Sequence, residues 1–83
     1  MDWGEIFHKD HGKVLPKKNQ IVQALSAVNA KLHGEPEYRD VDESVKVFYT
    51  YQGEHFRTSD FEKALGQAVG GNASSYDFRW SDK

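Results

Sequence analysis

Residues 43–65, with the sequence ESVKVFYTYQGEHFRTSDFEKAL, carry the clearest local pattern in this chain of 83 residues. Apolar side chains occupy alternate positions up to Tyr51, which is typical of a strand with one buried face. Gln52 and Gly53 then suit a tight turn, because glycine tolerates the positive φ that such turns require. From Ser59 onward the apolar spacing widens to three and four residues, which is typical of a helix. The segment therefore predicts a β-hairpin followed by a helix.

The predicted hairpin has two unlike faces. A two-residue turn would give one face the side chains of Val45, Val47, Tyr49, Tyr51 and Phe56. The other face would carry those of Lys46, Phe48, Thr50, His55 and Arg57. A four-residue loop is the alternative, and it would change the cross-strand partners. With the tight turn, the apolar ring of Phe48 lies among polar and charged neighbours, and this placement needs an explanation.

Two main helices are predicted, one before the hairpin and one after it. The first begins near Pro16, which suits a first helical turn, and it ends at Gly34. The second begins at Ser59, which forms a capping box with Glu62 three residues later. Gly70 follows the last apolar position of the second helix, where glycine commonly ends a helix.

The two ends of the chain supply one more helix and one more strand. Asp2 and Glu5 have the spacing of a capping box, which predicts a short N-terminal helix. The apolar residues of this helix would share one face: Trp3, Ile6 and Phe7. Near the C-terminus, aromatic residues alternate with polar ones and predict a third strand, with Tyr76, Phe78 and Trp80 on one side.

Residues 1–83 are therefore expected to form one small α+β domain with the element order ααββαβ. The sheet would have three strands in the order 2-1-3 and would be mainly antiparallel. Both main helices would pack on one face of this sheet, so the other face would meet water or a partner. An apolar fraction of 37% and an aromatic fraction of 13% are sufficient for such a core.

Composition and charge exclude several classes of protein. The chain contains no cysteine, which excludes disulfides and thiolate metal sites. No apolar run approaches the length of a membrane span, and the N-terminus lacks the pattern of a signal peptide. A soluble, cytoplasmic protein with no membrane partner is therefore expected. The net charge of −2 argues against a generic nucleic-acid binder, although a local basic face is compatible with it.

The sequence offers little support for a catalytic or metal site. His8 and His11 lie three residues apart beside Asp10, but no third metal ligand is evident. The five acidic residues within 35–44 lack the order of a calcium-binding loop and predict a solvated loop. Ser59 is assigned to a helix cap, and no serine has the G-x-S-x-G surroundings of a nucleophile. We expect no enzyme activity, no metal and no cofactor.

The uncovered face of the predicted sheet carries the candidate binding residues, which are Lys46, Phe48, His55, Arg57 and Arg79. An aromatic ring among cations suits stacking on a nucleic-acid base or anchoring of a partner protein. Two structural alternatives stay open for Phe48. The guanidinium of Arg57 could lie over its ring, or the short N-terminal helix could cover it.

The expected function is that of a small non-enzymatic interaction module. A protein partner is the first expectation, and the module itself would be a monomer or a weak homodimer. Nucleic-acid binding through the cationic and aromatic sheet face is the alternative. A small hydrolase is the third hypothesis, and it would need a deep pocket that holds a carboxylate or a histidine.

Overall fold

Four strands and two helices follow one another in the order βαββαβ within the described part of the chain. The computed structural model of the protein describes residues 2–8, 15–71 and 76–81. The elements are β1 (Asp2–His8), α1 (Lys18–Ala27), β2 (Ala30–Arg39), β3 (Ser44–Tyr51), α2 (Thr58–Val69) and β4 (Tyr76–Trp80). The sheet is antiparallel, with the strand order β2-β3-β1-β4. This element order is that of the split βαβ, or ferredoxin-like, arrangement.

The α+β class is confirmed, but the predicted arrangement within it is wrong. The sheet has four strands rather than three, and the described residues contain two helices rather than three. Two segments that were expected to be helix or loop, residues 2–8 and 30–39, are strands. The segment 52–57, expected to hold a turn and a strand, instead runs irregularly from β3 into α2. Because residues 52–57 form no strand, the predicted hairpin is absent from them, and the predicted strand order 2-1-3 is wrong as well.

The N-terminal segment forms the inner strand β1 because its side chains alternate between two environments. Gly4 lies opposite Val47 and Ile6 opposite Val45, so both face the core. Trp3 is placed on the other side of the sheet. An isolated helix of this length is only marginally stable, whereas an inner strand gains backbone hydrogen bonds on both of its edges. Here β1 pairs with β3 on one edge and with β4 on the other.

The first main helix is shorter than the apolar spacing predicted, since α1 ends at Ala27. Asn29 has a φ of 62°, in the left-handed region that asparagine tolerates better than most residues. The chain reverses there and enters β2, which places Leu32 opposite Tyr49 on the core side of the sheet. Leu32 therefore continues the apolar stripe of the sheet rather than that of the helix.

The acidic stretch 35–44 is only partly a loop. β2 extends to Arg39, and a turn over residues 40–43 joins it to β3. The pairing of β2 with β3 is interrupted between His33 and Glu37, where Gly34 adopts a φ of 69°. This irregularity lets a segment that contains a glycine and a proline remain in an edge strand, where a missing N–H is tolerated.

The N-cap of the second main helix lies two residues earlier than predicted. Arg57 occupies the N-cap position of α2, and no side chain caps the helix there. The predicted capping box at Ser59 is therefore wrong, because Ser59 lies inside the first helical turn. The predicted end is correct, since Gly70 adopts a φ of 77° at the C-cap.

Replacement of Ser59 by alanine is therefore expected to change the free energy of unfolding by less than about 0.5 kcal/mol, as for other surface substitutions. Thr58→Ala is the matched comparison, because the Thr58 hydroxyl accepts a hydrogen bond of 2.9 Å from the Trp80 indole N–H. Leaving that donor without a partner should cost about 1–3 kcal/mol. Urea unfolding of both variants tests this. A loss near 1 kcal/mol for Ser59→Ala would indicate that Ser59 does cap the helix.

The core lies between the two helices and one face of the sheet. Its fully buried apolar side chains come from both layers, and they include Ile6, Ile21, Leu25, Val45, Val47, Tyr49, Phe61 and Leu65. Both helices are used for this core, so the opposite face of the sheet has no described helix over it. Neither described helix is long and apolar enough to cross a membrane.

Candidate binding face

The surface that we call the open face is the side of the sheet opposite the helices. Because residues paired across an antiparallel ladder project to the same side, the strand register defines its members. They are Trp3, Glu5 and Phe7 of β1, Lys31, His33, Glu37 and Arg39 of β2, Ser44, Lys46, Phe48 and Thr50 of β3, and Asp77 and Arg79 of β4. The open face thus carries aromatic rings on the two inner strands and most of its charge around them.

Two aromatic rings lie side by side near the middle of the open face. Trp3 of β1 is directly opposite Phe48 of β3, and both side chains are half-buried. The ammonium group of Lys46 lies over both rings, 4.7 Å from the centroid of Trp3 and 5.3 Å from that of Phe48. These distances are typical of cation–π contacts, which stabilise by about 0.5–1 kcal/mol at exposed sites. The three side chains form one compact group, which we call the ring–lysine cluster.

A buried carboxylate holds two arginines beside the ring–lysine cluster. Glu5 is only 5% exposed, although it lies on the open face. Its two oxygens are 2.9 Å from Nη1 of Arg39 and 3.7 Å from Nη1 of Arg79. The guanidinium of Arg79 also lies 5.7 Å from the ring centroid of Phe7. A buried charge is tolerated when it is paired in this way.

The edge strand β2 adds a polar border next to Phe48. His33 lies directly opposite Phe48 in the ladder. The Nε2 atom of His33 is 3.0 Å from the hydroxyl oxygen of Thr50, which orients the imidazole ring. Lys31 lies opposite Thr50 and is exposed, so it extends the cationic part of the face beyond Phe48.

Of the five predicted binding residues, the structure brings three together. Lys46, Phe48 and Arg79 all lie on the open face, whereas His55 and Arg57 do not. These two were assigned to a strand that the protein does not form. A binding role for any of the five stays a prediction.

Neither structural alternative for Phe48 is found. The N-terminal segment lies beside the Phe48 ring as a strand rather than over it as a helix. The cation over the ring belongs to Lys46 rather than to Arg57.

Sequence reasoning missed several members of the open face. The residues that it did not assign to this sheet face include Trp3, Glu5, Phe7, Lys31, His33 and Arg39. The signal for the β1 members was present, because Trp3, Glu5 and Phe7 alternate with smaller or apolar residues at a period of two. That period was masked by the capping-box spacing of Asp2 and Glu5. The members on β2 carried no comparable signal, since Lys31 and His33 continue a helical spacing and residues 35–44 show no regular period.

On the helix side of the sheet, His55 and Arg57 line a different feature, a cleft of about 520 Å³ between α1, α2 and the segment that precedes α2. Both ring nitrogens of His55 have partners, Nδ1 at 2.8 Å from the Phe56 carbonyl oxygen and Nε2 at 2.8 Å from the Tyr49 hydroxyl. Because a carbonyl only accepts, Nδ1 donates, and in the neutral ring Nε2 accepts from Tyr49. Neither nitrogen is thus directed at a substrate. The cleft is also lined by the carboxylates of Glu54 and Asp60, so the hydrolase hypothesis stays a prediction.

The described residues offer no metal centre. No three His, Asp or Glu side chains are grouped there so that they could hold an ion. The spacing of His8, Asp10 and His11 lies outside the described side chains.

Comparison of the chain with known protein families, with characterised proteins and with solved structures finds no match. A shared topology does not determine function, because one fold supports many activities. Function therefore has to be inferred from the chemistry of the open face.

Proposed function

We propose that this protein is a non-enzymatic binding module whose open face recognises single-stranded nucleic acid. The observation that carries the proposal is the pair of half-buried rings, Trp3 and Phe48, on the two inner strands, on the sheet face over which neither described helix lies. Each aromatic ring on which a base stacks contributes about 1–3 kcal/mol to binding, largely without regard to base identity. Rings held on adjacent β-strands are already positioned, so these side chains lose little conformational entropy when single-stranded nucleic acid binds.

Charge on the open face supports an anionic partner more than the total charge does. The chain as a whole has a net charge of −2. The open face carries four permanent cations, Lys31, Arg39, Lys46 and Arg79, and three carboxylates, Glu5, Glu37 and Asp77. One of these carboxylates, Glu5, is buried beneath two arginines, so its charge is largely neutralised. With so small an excess of cations, stacking rather than phosphate contact would supply most of the affinity.

A protein partner is the second candidate, and the charge balance favours it. Tryptophan and arginine are among the residues enriched at the hot spots of protein interfaces, and both occur on the open face. A net charge of −2 also disfavours a long contact with phosphates. A protein that docks on this face would bury the same rings, so it could not bind there together with a nucleic-acid strand.

The test is a Phe48→Ala variant in a binding assay with a mixed-sequence single-stranded oligonucleotide. Loss of one stacking ring should weaken binding about 5- to 150-fold, which corresponds to about 1–3 kcal/mol. The free energy of unfolding should fall by about 1–2 kcal/mol, because the ring is partly exposed and lies outside the fully buried core. Fluorescence anisotropy and urea unfolding measure the two quantities.

Tyr38→Ala is the matched control, since Tyr38 is an exposed aromatic residue whose register with Val45 places it on the helix side of the sheet. It should leave oligonucleotide binding unchanged, and a duplex of the same sequence should bind more weakly than the single strand. Absence of single-strand binding by the unaltered protein at low salt would refute the proposal and favour a protein partner. A loss of 3–5 kcal/mol in stability for Phe48→Ala would mean that the ring belongs to the core.

A further inference from the structure

We infer that the ring–lysine cluster of Trp3, Phe48 and Lys46 binds one dinucleotide step, in which Lys46 leaves the rings and holds the phosphate between two stacked bases. This inference rests on the proposed function. It adds the footprint of the ligand and assigns the one cation that changes partner on binding.

The positions of the two rings match a pair of neighbouring bases. Residues directly opposite each other on antiparallel strands have side chains that begin about 5 Å apart. Trp3 and Phe48 are such a pair. Two consecutive nucleotides that stack on these rings share one bridging phosphate, and this phosphate has to lie close to both rings. The ammonium of Lys46 is already close to both, at 4.7 Å and 5.3 Å from their centroids.

Lys46 occupies ring surface that a base would use, so binding requires the ammonium to move. An exposed cation–π contact changes an equilibrium constant by roughly two- to five-fold, whereas a stacked base changes it by about 5- to 150-fold. Stacking therefore displaces the ammonium from the rings. Its flexible four-carbon stem lets it turn toward the phosphate, where it regains an opposite charge as partner.

Arg39 and Arg79 are less suited to this role because both are engaged elsewhere. Each forms an ion pair with the buried carboxylate of Glu5, at 2.9 Å and 3.7 Å respectively. Movement of either arginine toward a phosphate would leave that carboxylate less well paired in a desolvated position. Lys46 makes its described cation contacts with the rings alone, and it forms no described ion pair with Glu5, its cross-strand neighbour.

The experiment measures the dissociation constant of fluorescein-labelled oligothymidylate at several salt concentrations. For a single strand, each phosphate contact contributes about 0.7 to the slope of log affinity against log salt. Lys46→Met keeps the length of the side chain and removes its charge, so the slope should fall in magnitude by about 0.7. Lys46→Arg should restore it. Lys63→Met, on α2 beside the cleft, is the matched control and should leave the slope unchanged.

Trp3→Ala and Phe48→Ala should weaken binding without changing the salt slope, because stacking involves no phosphate. If the unaltered protein fails to bind oligothymidylate, the proposed function fails and the inference fails with it. If the unaltered protein binds, the ring variants weaken binding and Lys46→Met keeps the full slope, the inference alone is overturned. Thermal melting monitored by circular dichroism verifies that each variant is folded.

Discussion

Replacement of Trp80 by alanine is expected to lower the free energy of unfolding by about 3–5 kcal/mol, the usual loss for a large buried aromatic side chain. Trp80 ends β4 and is only 5% exposed. Its ring meets those of Tyr49, Phe56 and Phe61 edge-on, with centroid distances of 5.8 Å, 5.2 Å and 5.1 Å respectively. These residues come from β3, the segment before α2 and α2 itself, so the indole joins every one of these parts to β4.

The size of this loss matters because the protein is small. At about 0.05–0.15 kcal/mol per residue, a chain of 83 residues has a total stability of about 4–12 kcal/mol. Trp80→Ala would therefore remove a large share of it, and urea unfolding with amide NMR dispersion would report the change. Trp80→Phe is the control, since it keeps an aromatic ring and loses the hydrogen bond to Thr58. If the alanine variant unfolds at the same urea concentration as the unaltered protein, β4 does not belong to the core.

Local sequence patterns predicted those strands and helices whose buried apolar residues recur at a regular spacing. The alternation within residues 43–65 correctly indicated β3, and the widened spacing after it correctly indicated α2. The aromatic alternation that ends at Trp80 correctly indicated β4. In each case the residues on the buried side are large and apolar, so the period is visible without knowledge of the partners.

The same reasoning failed for β1 and β2 because their patterns depend on partners distant in sequence. In β1 the core side is occupied by Gly4 and Ile6, while the larger rings of Trp3 and Phe7 lie on the open face. The usual relation between large apolar residues and the core is thus reversed. In β2, Leu32 falls on both a helical and a strand spacing, and only its pairing with Tyr49 decides between them.

The candidate site was predicted in part for a related reason. Lys46, Phe48 and Arg79 lie on strands that were recognised, so their shared face followed from alternation. The neighbour that completes the ring pair, Trp3, comes from the strand that was not recognised. A face assembled from four strands is visible only once their order is known, because each strand contributes two to four residues that are far apart in the chain.

Gly4→Ala is the second substitution with a large expected effect, and it tests the packing of β1 against β4 directly. A Cβ atom on Gly4 would lie 2.2 Å from Cζ3 and 2.3 Å from Cε3 of Trp80. Both distances are far inside van der Waals contact, so one of the two groups has to move. Trp80 is held by the surrounding rings and by its hydrogen bond to Thr58, and Gly4 is held between two strands. Neither can move cheaply, so the change should cost about 1–3 kcal/mol, as for other overpacked cores.

Gly71→Ala is the matched control for this substitution, because no described atom lies within 4 Å of a Cβ placed there. An alanine in such an open position should be neutral or slightly stabilising, since it reduces the entropy of the unfolded chain.

The cost of Gly4→Ala should also shrink in a Trp80→Leu background, where the smaller side chain leaves room for the new methyl group. Urea unfolding of the four proteins in this double-mutant cycle gives the coupling energy. If the coupling is zero, the Trp80 ring does not lie against Gly4, and the pairing of β1 with β4 would have to be different.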